Sequence, residues 1–318
     1  MTKRIFGFEV SVLKDLFRLY VFHARFLAKH ICWLIIKKLG KKNLTLHTEQ
    51  GRFTVSLQDN AIGRSLFTKG QFEYDFSLQA VELLLKKGFI KSEHITFLDV
   101  GANIGIISIG LLLKGRIAQS IAIEPEKTNF GLLLKNIKAN NLESKMLCFP
   151  LALGDNKSVR KMELSPDNLG DHRIQRSDVL TSDSRGSDEN RNLVFVECVT
   201  LDELIHAPEI FQKKWTFDNA ILWIDVQGHE GYVFKGADLF LSQGVPTVSE
   251  IWPQGILSSG MSLEEFSDIV KSRWSDYWVL RGKRFVRYPT TLFDRYLDEI
   301  EDSDGNVIFT NESRKNVK

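Results

Sequence analysis

Residues 97–110 read FLDVGANIGIISIG, an apolar strand that reaches Asp99 and then runs through Gly101 and Gly105 into an apolar helix. A glycine turn of this kind lets a ligand approach the backbone and the N-terminus of the next helix. The spacing is D-x-G-x-x-x-G, which differs from the G-x-G-x-x-G of dinucleotide-binding proteins. An acid before the first glycine suits a cationic ligand end better than a pyrophosphate. The stretch therefore predicts an α/β fold that binds a nucleoside without phosphates.

The next strand supports this interpretation. It ends at Glu124, and Pro125 then stops it. A carboxylate at that strand end can accept hydrogen bonds from both ribose hydroxyls. S-adenosylmethionine (SAM) carries an ammonium and a sulfonium but no phosphate, so the two acids favour SAM over NAD. The predicted cofactor contacts are Asp99, Gly101, Ala102, Asn103, Gly105, Glu124, Pro125 and Asp155.

Asp155 is included because it closes the third strand, where such folds meet the adenine. Its carboxylate could accept from the exocyclic amine, or it could simply be a turn residue before Asn156.

From residue 95 onward, strands and helices alternate, which predicts a doubly wound, mostly parallel sheet that is covered on both faces. The predicted strands are Ile95–Val100, Ser120–Glu124, Met146–Leu153, Ala220–Val226 and Val245–Ile251. The predicted domains are a basic amphipathic helical arm (1–45), a hairpin and helix leading into the core (46–92), and the SAM-binding domain (93–318) with a polar loop insertion at 165–192. Within the insertion, we expect 167–175 to be ordered near the site and 182–190 to be mobile.

Four side chains are candidates for the chemistry. Asp225 and Glu250 lie at the ends of the fourth and fifth predicted strands, where open α/β sheets bind ligands. His229 follows Asp225 closely, and His172 could fold over from the polar loop. A hydroxyl is a poor nucleophile while it keeps its proton. Either a histidine takes that proton, or Asp225 and Glu250 hold a divalent ion that lowers the hydroxyl's pKa.

Charge is distributed unevenly along the 318 residues. The net charge is +2, yet residues 1–42 hold ten Lys or Arg against two acids, which leaves the rest at about −6. A net negative catalytic part disfavours a nucleic-acid substrate. Residues 9–39 have apolar residues at helical spacing with basic residues between them, so they predict helices that either pack on the main domain or lie on an anionic membrane.

The predicted location is the cytoplasm, with peripheral attachment to the inner membrane surface as an option through residues 9–39. Neither a signal peptide nor a membrane-spanning helix is predicted, because charges interrupt every apolar run. The three cysteines, Cys32, Cys148 and Cys198, lack metal-site spacing and are expected to be reduced and buried.

The chain resembles the FkbM family of SAM-dependent methyltransferases over residues 71–260. The motifs that carry the resemblance are DVGANIG (99–105), IEPE (123–126), ALGD (152–155), VTLDEL (199–204), WIDVQGHE (223–230), VFKGA (233–237) and EIWP (250–253). The resemblance implies that the doubly wound sheet is of the class I methyltransferase type, and it implies SAM contacts from Asp99, Gly101, Asn103, Gly105 and Glu124. It also implies O-methylation of a hydroxyl on a sugar, glycan or related natural product. Residues 1–45 and those after about 285 lie outside it.

Three alternatives differ in what they require. A NAD-dependent oxidoreductase needs the glycine triplet that is missing here, and a non-catalytic SAM-binding or membrane-surface scaffold would be expected to have damaged motifs. N-methyltransferases of this fold commonly carry an Asn/Asp-Pro-Pro-aromatic tetrapeptide after the fourth strand, where this chain reads Asp225-Val-Gln-Gly.

Overall fold

The computed structural model describes residues 4–5, 8–9, 26–175 and 191–312. The strands are β1 (Arg4–Ile5), β2 (Phe8–Glu9), β3 (Asn43–Thr48), β4 (Gly51–Ser56), β5 (Thr96–Val100), β6 (Gln119–Ile123), β7 (Met146–Phe149), β8 (Ala152–Leu153), β9 (Ser158–Leu164), β10 (Arg173–Gln175), β11 (Asn192–Val199), β12 (Ala220–Ile224), β13 (Thr247–Ile251), β14 (Asp276–Arg281), β15 (Arg284–Pro289) and β16 (Gly305–Thr310).

The helices are α1 (residues 26–38), α2 (Ile62–Lys69), α3 (Tyr74–Lys87), α4 (Ile106–Leu113), α5 (Lys127–Ala139), α6 (Leu201–Leu204), α7 (Pro208–Lys213), α8 (Glu230–Lys235), α9 (Asp238–Ser242), α10 (Pro253–Ser258), α11 (Leu263–Arg273) and α12 (Phe293–Glu299).

The central sheet has eight strands in the order β15-β14-β16-β13-β12-β5-β6-β7. The five strands from β13 to β7 are parallel to one another, and β16 is antiparallel to both of its neighbours. The chain moves outward from β5 to β7 and then returns to place β12 on the other side of β5. This reversal creates a crevice at the carboxyl ends of β5 and β12, where doubly wound folds bind ligands. The predicted fold class is confirmed.

Both faces of the sheet are buried because side chains alternate along each strand. On β5, Leu98 and Val100 pack with α8, α9 and α11, whereas Phe97 packs on the opposite face with α3, α4 and α5. On β12, Leu222 packs on the same face as Leu98 and Val100, and Trp223 packs on the same face as Phe97. The strands therefore read as continuous apolar runs, and the polar residues that form the site come only after the strands end.

The third predicted strand, 146–153, is wrong as a single element. Only β7 joins the central sheet; after Pro150 the chain turns away, and β8 pairs with β11 in a second sheet of order β10-β9-β11-β8. Proline cannot donate a ladder hydrogen bond, which accounts for the break. Within the predicted insertion, β10 lies in the part, 167–175, that was expected to be ordered. The predicted mobility of 182–190 falls outside the described residues.

The N-terminal part agrees partly with expectation. The predicted hairpin is present as β3 and β4, and the helix predicted to follow it within 46–92 is α3. Of the helical arm predicted for 9–39, residue 9 belongs to β2, residues 10–25 lie outside the described part, and α1 covers 26–38. No helix among the described residues has the length and apolar content needed to cross a membrane. Cys32 is exposed, contrary to expectation, whereas Cys198 is buried.

Candidate active site

A tight turn follows β5 and forms the floor of the crevice. Gly101 has a φ of +84°, and a Cβ added there would lie 1.8 Å from the Asp225 carbonyl oxygen. Asn103 is also left-handed, with a φ of +51°, and Gly105 precedes α4 with a φ of +85°. A left-handed backbone conformation costs little free energy for glycine, and asparagine adopts it more readily than most other residues. The turn can therefore touch the end of β12 without a side chain between them.

Glu124 stands directly after β6 and braces this turn. Its two carboxylate oxygens accept hydrogen bonds from the backbone N–H groups of Asn103 and Glu126, each at 2.8 Å. A carboxylate has about four acceptor positions, so capacity remains for a ligand. The side chain is 4% exposed, and burial raises its pKa to about 8.

A cavity opens between the ends of β5, β6 and β12 and contains about 630 Å³ of open space, with the solvent at its mouth included. Its lining is mainly apolar, with two carboxylates. The lining residues are Ile62, Val100, Gly101, Asn103, Ile123, Glu124, Pro125, Asn129, Leu151, Ala152, Leu153, Met162, Leu169, Gly170, His172, Ile174, Asp225, Val226, Gln227 and His229. None of these described lining residues is a lysine or an arginine. We call this space the first cavity.

Residues of the insertion form the roof of the first cavity. The Leu169 carbonyl accepts hydrogen bonds from the side-chain amides of Asn103 (2.8 Å) and Asn129 (2.9 Å). His172 lies beneath the same loop, where its Nδ1 accepts the Ser165 N–H at 3.0 Å. Burial lowers the His172 pKa. The roof is thus tied to the glycine turn and to α5.

The wall opposite Glu124 follows β12 and β13. Gln227, with a φ of +53°, donates through Nε2 to Asp225 Oδ1 and to Glu250 Oε2, both at 2.7 Å. Burial raises the pKa of both acids, and repulsion by Asp225 raises that of Glu250 further, to about 11. Glu250 therefore holds a proton at neutral pH, and its hydrogen bond to Asp225 favours the ionised form of Asp225.

Two further acids face this wall. Glu73 precedes α3, and its pKa is raised to about 7, first by burial and then by repulsion from Asp225 and Asp304. Asp304 also raises the pKa of Asp225 and Glu250. Even so, among the described residues no group of three or more His, Cys, Asp or Glu is arranged to hold a metal ion.

A second cavity, of about 450 Å³, adjoins the first at Gln227, which lines both. Its lining residues are Asp171, Arg173, Gln227, Glu250, Trp252, Asp302, Ser303 and Asp304. The Arg173 guanidinium lies 4.5 Å from the centre of the Trp252 ring and pairs with Asp171. The wall of the second cavity is therefore polar and mostly acidic, unlike that of the first.

The structure does not bring every candidate residue to a cavity. Asp99 was expected to contact the cofactor, but it is 2% exposed and its carboxylate accepts from Ser108 inside the core. Ala102 donates its N–H to Ile123, and neither it nor Gly105 is on the lining. Asp155 pairs with Arg160 at 3.0 Å and is likewise absent from both walls.

The remaining candidates lie where the sequence suggested. Gly101, Asn103, Glu124, Pro125, His172, Asp225 and His229 line the first cavity, and Glu250 lines the second. Sequence reasoning missed Gln227, although it stands inside the WIDVQGHE motif. It also missed Asn129, Glu73 and Asp304, for which no local signal exists because distant elements bring them to the site.

The sheet order, the glycine turn and the carboxylate after β6 define a doubly wound α/β fold with a ligand-sized crevice at the carboxyl ends of its strands. The model of the methyltransferase FkbM domain matches residues 99–273, more than half of the chain. The chain therefore belongs to this family.

Solved structures with similar folds include the methyltransferase FkbM from Methylobacillus flagellatus KT (15% identity, TM-score 0.42), which aligns over 79% of this chain. This chain spans 55% of that protein's length. Another is the precorrin-6y C5,15-methyltransferase from Geobacter metallireducens GS-15 (10% identity, TM-score 0.33, covering 74% of this chain and 85% of that one). A third is a protein of the NADB-Rossmann superfamily from Streptococcus agalactiae (12% identity, TM-score 0.35, covering 74% and 68%). No curated protein matches the sequence with significance.

Proposed function

We propose that the protein is a methyltransferase that binds SAM in the first cavity and methylates a hydroxyl of a sugar, a glycan or a related small molecule. The observation that carries the proposal is the charge of the lining. Carboxylates stand on two sides of a mainly apolar cavity, and none of the described lining residues is a lysine or an arginine. A phosphate-bearing dinucleotide would be repelled there, whereas a cationic nucleoside is attracted.

The residues of the first cavity fit the parts of SAM. Glu124 has free acceptor capacity for two ribose hydroxyls, and the apolar side chains of Pro125, Leu151 and Leu153 suit an adenine ring. Gly101 lets the floor of the cavity close against the end of β12, and Asp225 offers a negative charge on the far side. When bound, SAM supplies an electrophilic methyl group on a sulfonium.

The second cavity is the proposed acceptor site. It adjoins the first through Gln227 and is lined by carboxylates, an amide and an aromatic ring. Planar polar side chains can hydrogen-bond several hydroxyls of one ligand. A polyhydroxylated acceptor therefore suits this cavity better than an apolar one.

Asp225 is the proposed base for the acceptor hydroxyl. Its pKa is raised by burial, which makes it a stronger proton acceptor than an ordinary aspartate. Gln227 and the protonated Glu250 both donate to it and fix its position. His172 is less suited, because its Nδ1 lone pair already accepts from Ser165 and the neutral ring then carries its proton on Nε2. His229 remains the alternative base.

The test is to incubate the protein with methyl-labelled SAM and with glycan, lipid and small-molecule fractions of a cell extract. We expect label in a glycan or polyol fraction, and none with Asp225→Asn. The matched control is Asp268→Asn, which changes a 72% exposed aspartate on α11 and should behave as wild type.

Other outcomes of this experiment separate the alternatives. SAM binding with no label in any fraction favours a scaffold role, and label on nitrogen refutes O-methylation. Loss of transfer in EDTA, restored by Mg²⁺, would replace the direct base with metal activation of the hydroxyl.

A further inference from the structure

Helix α1 is held to the body of the protein along one side. Trp33 is fully buried, and its ring lies 5.5 Å from that of Phe67. Lys29 Nζ donates to the Thr68 carbonyl at 3.1 Å, and Lys37 Nζ donates to Asn60 Oδ1 at 3.0 Å. These contacts, spread over two turns, fix the rotation of α1 about its axis.

The opposite side of the helix is apolar and exposed. We call it the outward face, and its members are Leu27 (60% exposed), Ile31 (48%), Leu34 (48%), Ile35 (54%) and Leu39 (69%), the last just after the helix. These positions recur at three- and four-residue intervals, so they form one stripe. An ordinary surface helix turns such a stripe inward, but here the inward side is already occupied by Trp33. A contiguous exposed apolar stripe marks a surface that is covered by something else.

The charges around the stripe indicate what covers it. Lys38, Lys41 and Lys42 are exposed at its C-terminal end, and the sequence has no acidic residue from 26 to 42. An apolar stripe bordered only by cations suits the interface of a bilayer with anionic headgroups, since lysines can extend to the phosphates while leucine and isoleucine enter the acyl boundary. Each lysine near such a surface strengthens binding by about fivefold.

We infer that the outward face of α1 docks the protein on an anionic lipid bilayer. Docking leaves the opposite side of α1 packed against the protein, so it requires no rearrangement of the fold. The inference is independent of the identity of the methyl acceptor and of SAM binding.

The test is co-sedimentation of the full chain with phosphatidylcholine vesicles and with vesicles that are about one-third phosphatidylglycerol, at low and high salt. We expect binding only to the anionic vesicles, weakened by salt. Ile31→Gln/Leu34→Gln should weaken it by about tenfold or more, because two side chains lose their burial; glutamine preserves helix propensity. The matched control is Phe211→Gln/Leu239→Gln, which removes apolar side chains that are 82% and 65% exposed elsewhere.

A second pair of variants tests the charges. Lys38→Gln/Lys41→Gln/Lys42→Gln should lose most of the binding and of the salt dependence, whereas Lys135→Gln/Lys138→Gln/Lys145→Gln should lose little. Thermal unfolding and SAM calorimetry establish that each variant is folded.

Two results would overturn the inference. One is equal vesicle binding by Ile31→Gln/Leu34→Gln and wild type. The other is that wild type binds no vesicles and is an oligomer in light scattering, whereas Ile31→Gln/Leu34→Gln is a monomer. A second copy of the chain would then cover the outward face.

Discussion

Replacing Gly101 by alanine should damage cofactor binding through a single steric conflict. The added Cβ would lie 1.8 Å from the Asp225 carbonyl oxygen, and contacts below 3.0 Å do not occur, so the two strand ends must separate by at least 1.2 Å. Misplacement of reacting groups by about 1 Å costs on the order of a hundredfold in rate. We therefore expect the rate of methyl transfer to fall by about a hundredfold and SAM affinity, measured by calorimetry, to fall as well. The free energy of unfolding should fall by about 2–5 kcal/mol, from left-handed strain plus overpacking.

Gly115→Ala provides the control. Gly115 also has a positive φ, of +68°, but an added Cβ there would meet nothing within 4 Å. This variant should lose only the roughly 1–2 kcal/mol of left-handed strain and keep wild-type SAM affinity. The reasoning is refuted if the two alanine variants have the same SAM affinity and the same stability.

Three further perturbations test other parts of the site. Glu124→Gln keeps the shape of the side chain but replaces one acceptor oxygen with an amide donor, so SAM affinity by calorimetry should fall by about tenfold or more; an unchanged affinity would remove Glu124 from the cofactor site. The Asp99 pKa is raised by burial to about 7, so the native state holds a proton that the unfolded state has lost, and stability falls as pH rises from about 4 to 7. Asp99→Asn should flatten that decline in urea unfolding without weakening SAM binding, and a loss of affinity would contradict its placement in the core. Asp225→Asn should lower methyl transfer by roughly 10²–10⁴-fold with SAM still bound, whereas His172→Ala should lose far less; the reverse ranking in single-turnover assays would make His172 the base.

The sequence predicts the centre of the fold well because its signals there are local. The glycine turn after β5, Glu124 after β6 and Asp225 after β12 each follow an apolar run, and strand ends of a parallel sheet meet at one edge. Because both faces of the sheet are buried, the apolar pattern of a strand does not show toward which face each side chain points. Because β5 is apolar on both sides, nothing in its pattern shows that the Asp99 side chain points toward α4 and Ser108 instead of the crevice.

Long-range contacts explain the other differences. Pro150 is visible in the sequence, but where the chain goes after it depends on β11, more than forty residues later. The strand pattern predicts Asp155 as an adenine contact, but it does not show that the Asp155 carboxylate pairs with Arg160. The roof over the first cavity depends on Asn103 and Asn129 meeting one carbonyl from the insertion, and no sequence period encodes such a meeting.

The position of β16 in the central sheet has a consequence for biosynthesis. This strand is the last in chain order among the described residues, yet it lies inside the sheet, between β13 and β14, and forms the ladders that join them. A ribosome therefore releases β13 and β14 before the strand that unites them exists, and each presents an open edge to neighbouring nascent chains in that interval. Closure of the sheet must be a late, non-local and correspondingly slow event. A chain cut before Gly305 would keep the whole first-cavity floor in its sequence, yet it would carry two unpaired edges and tend to aggregate.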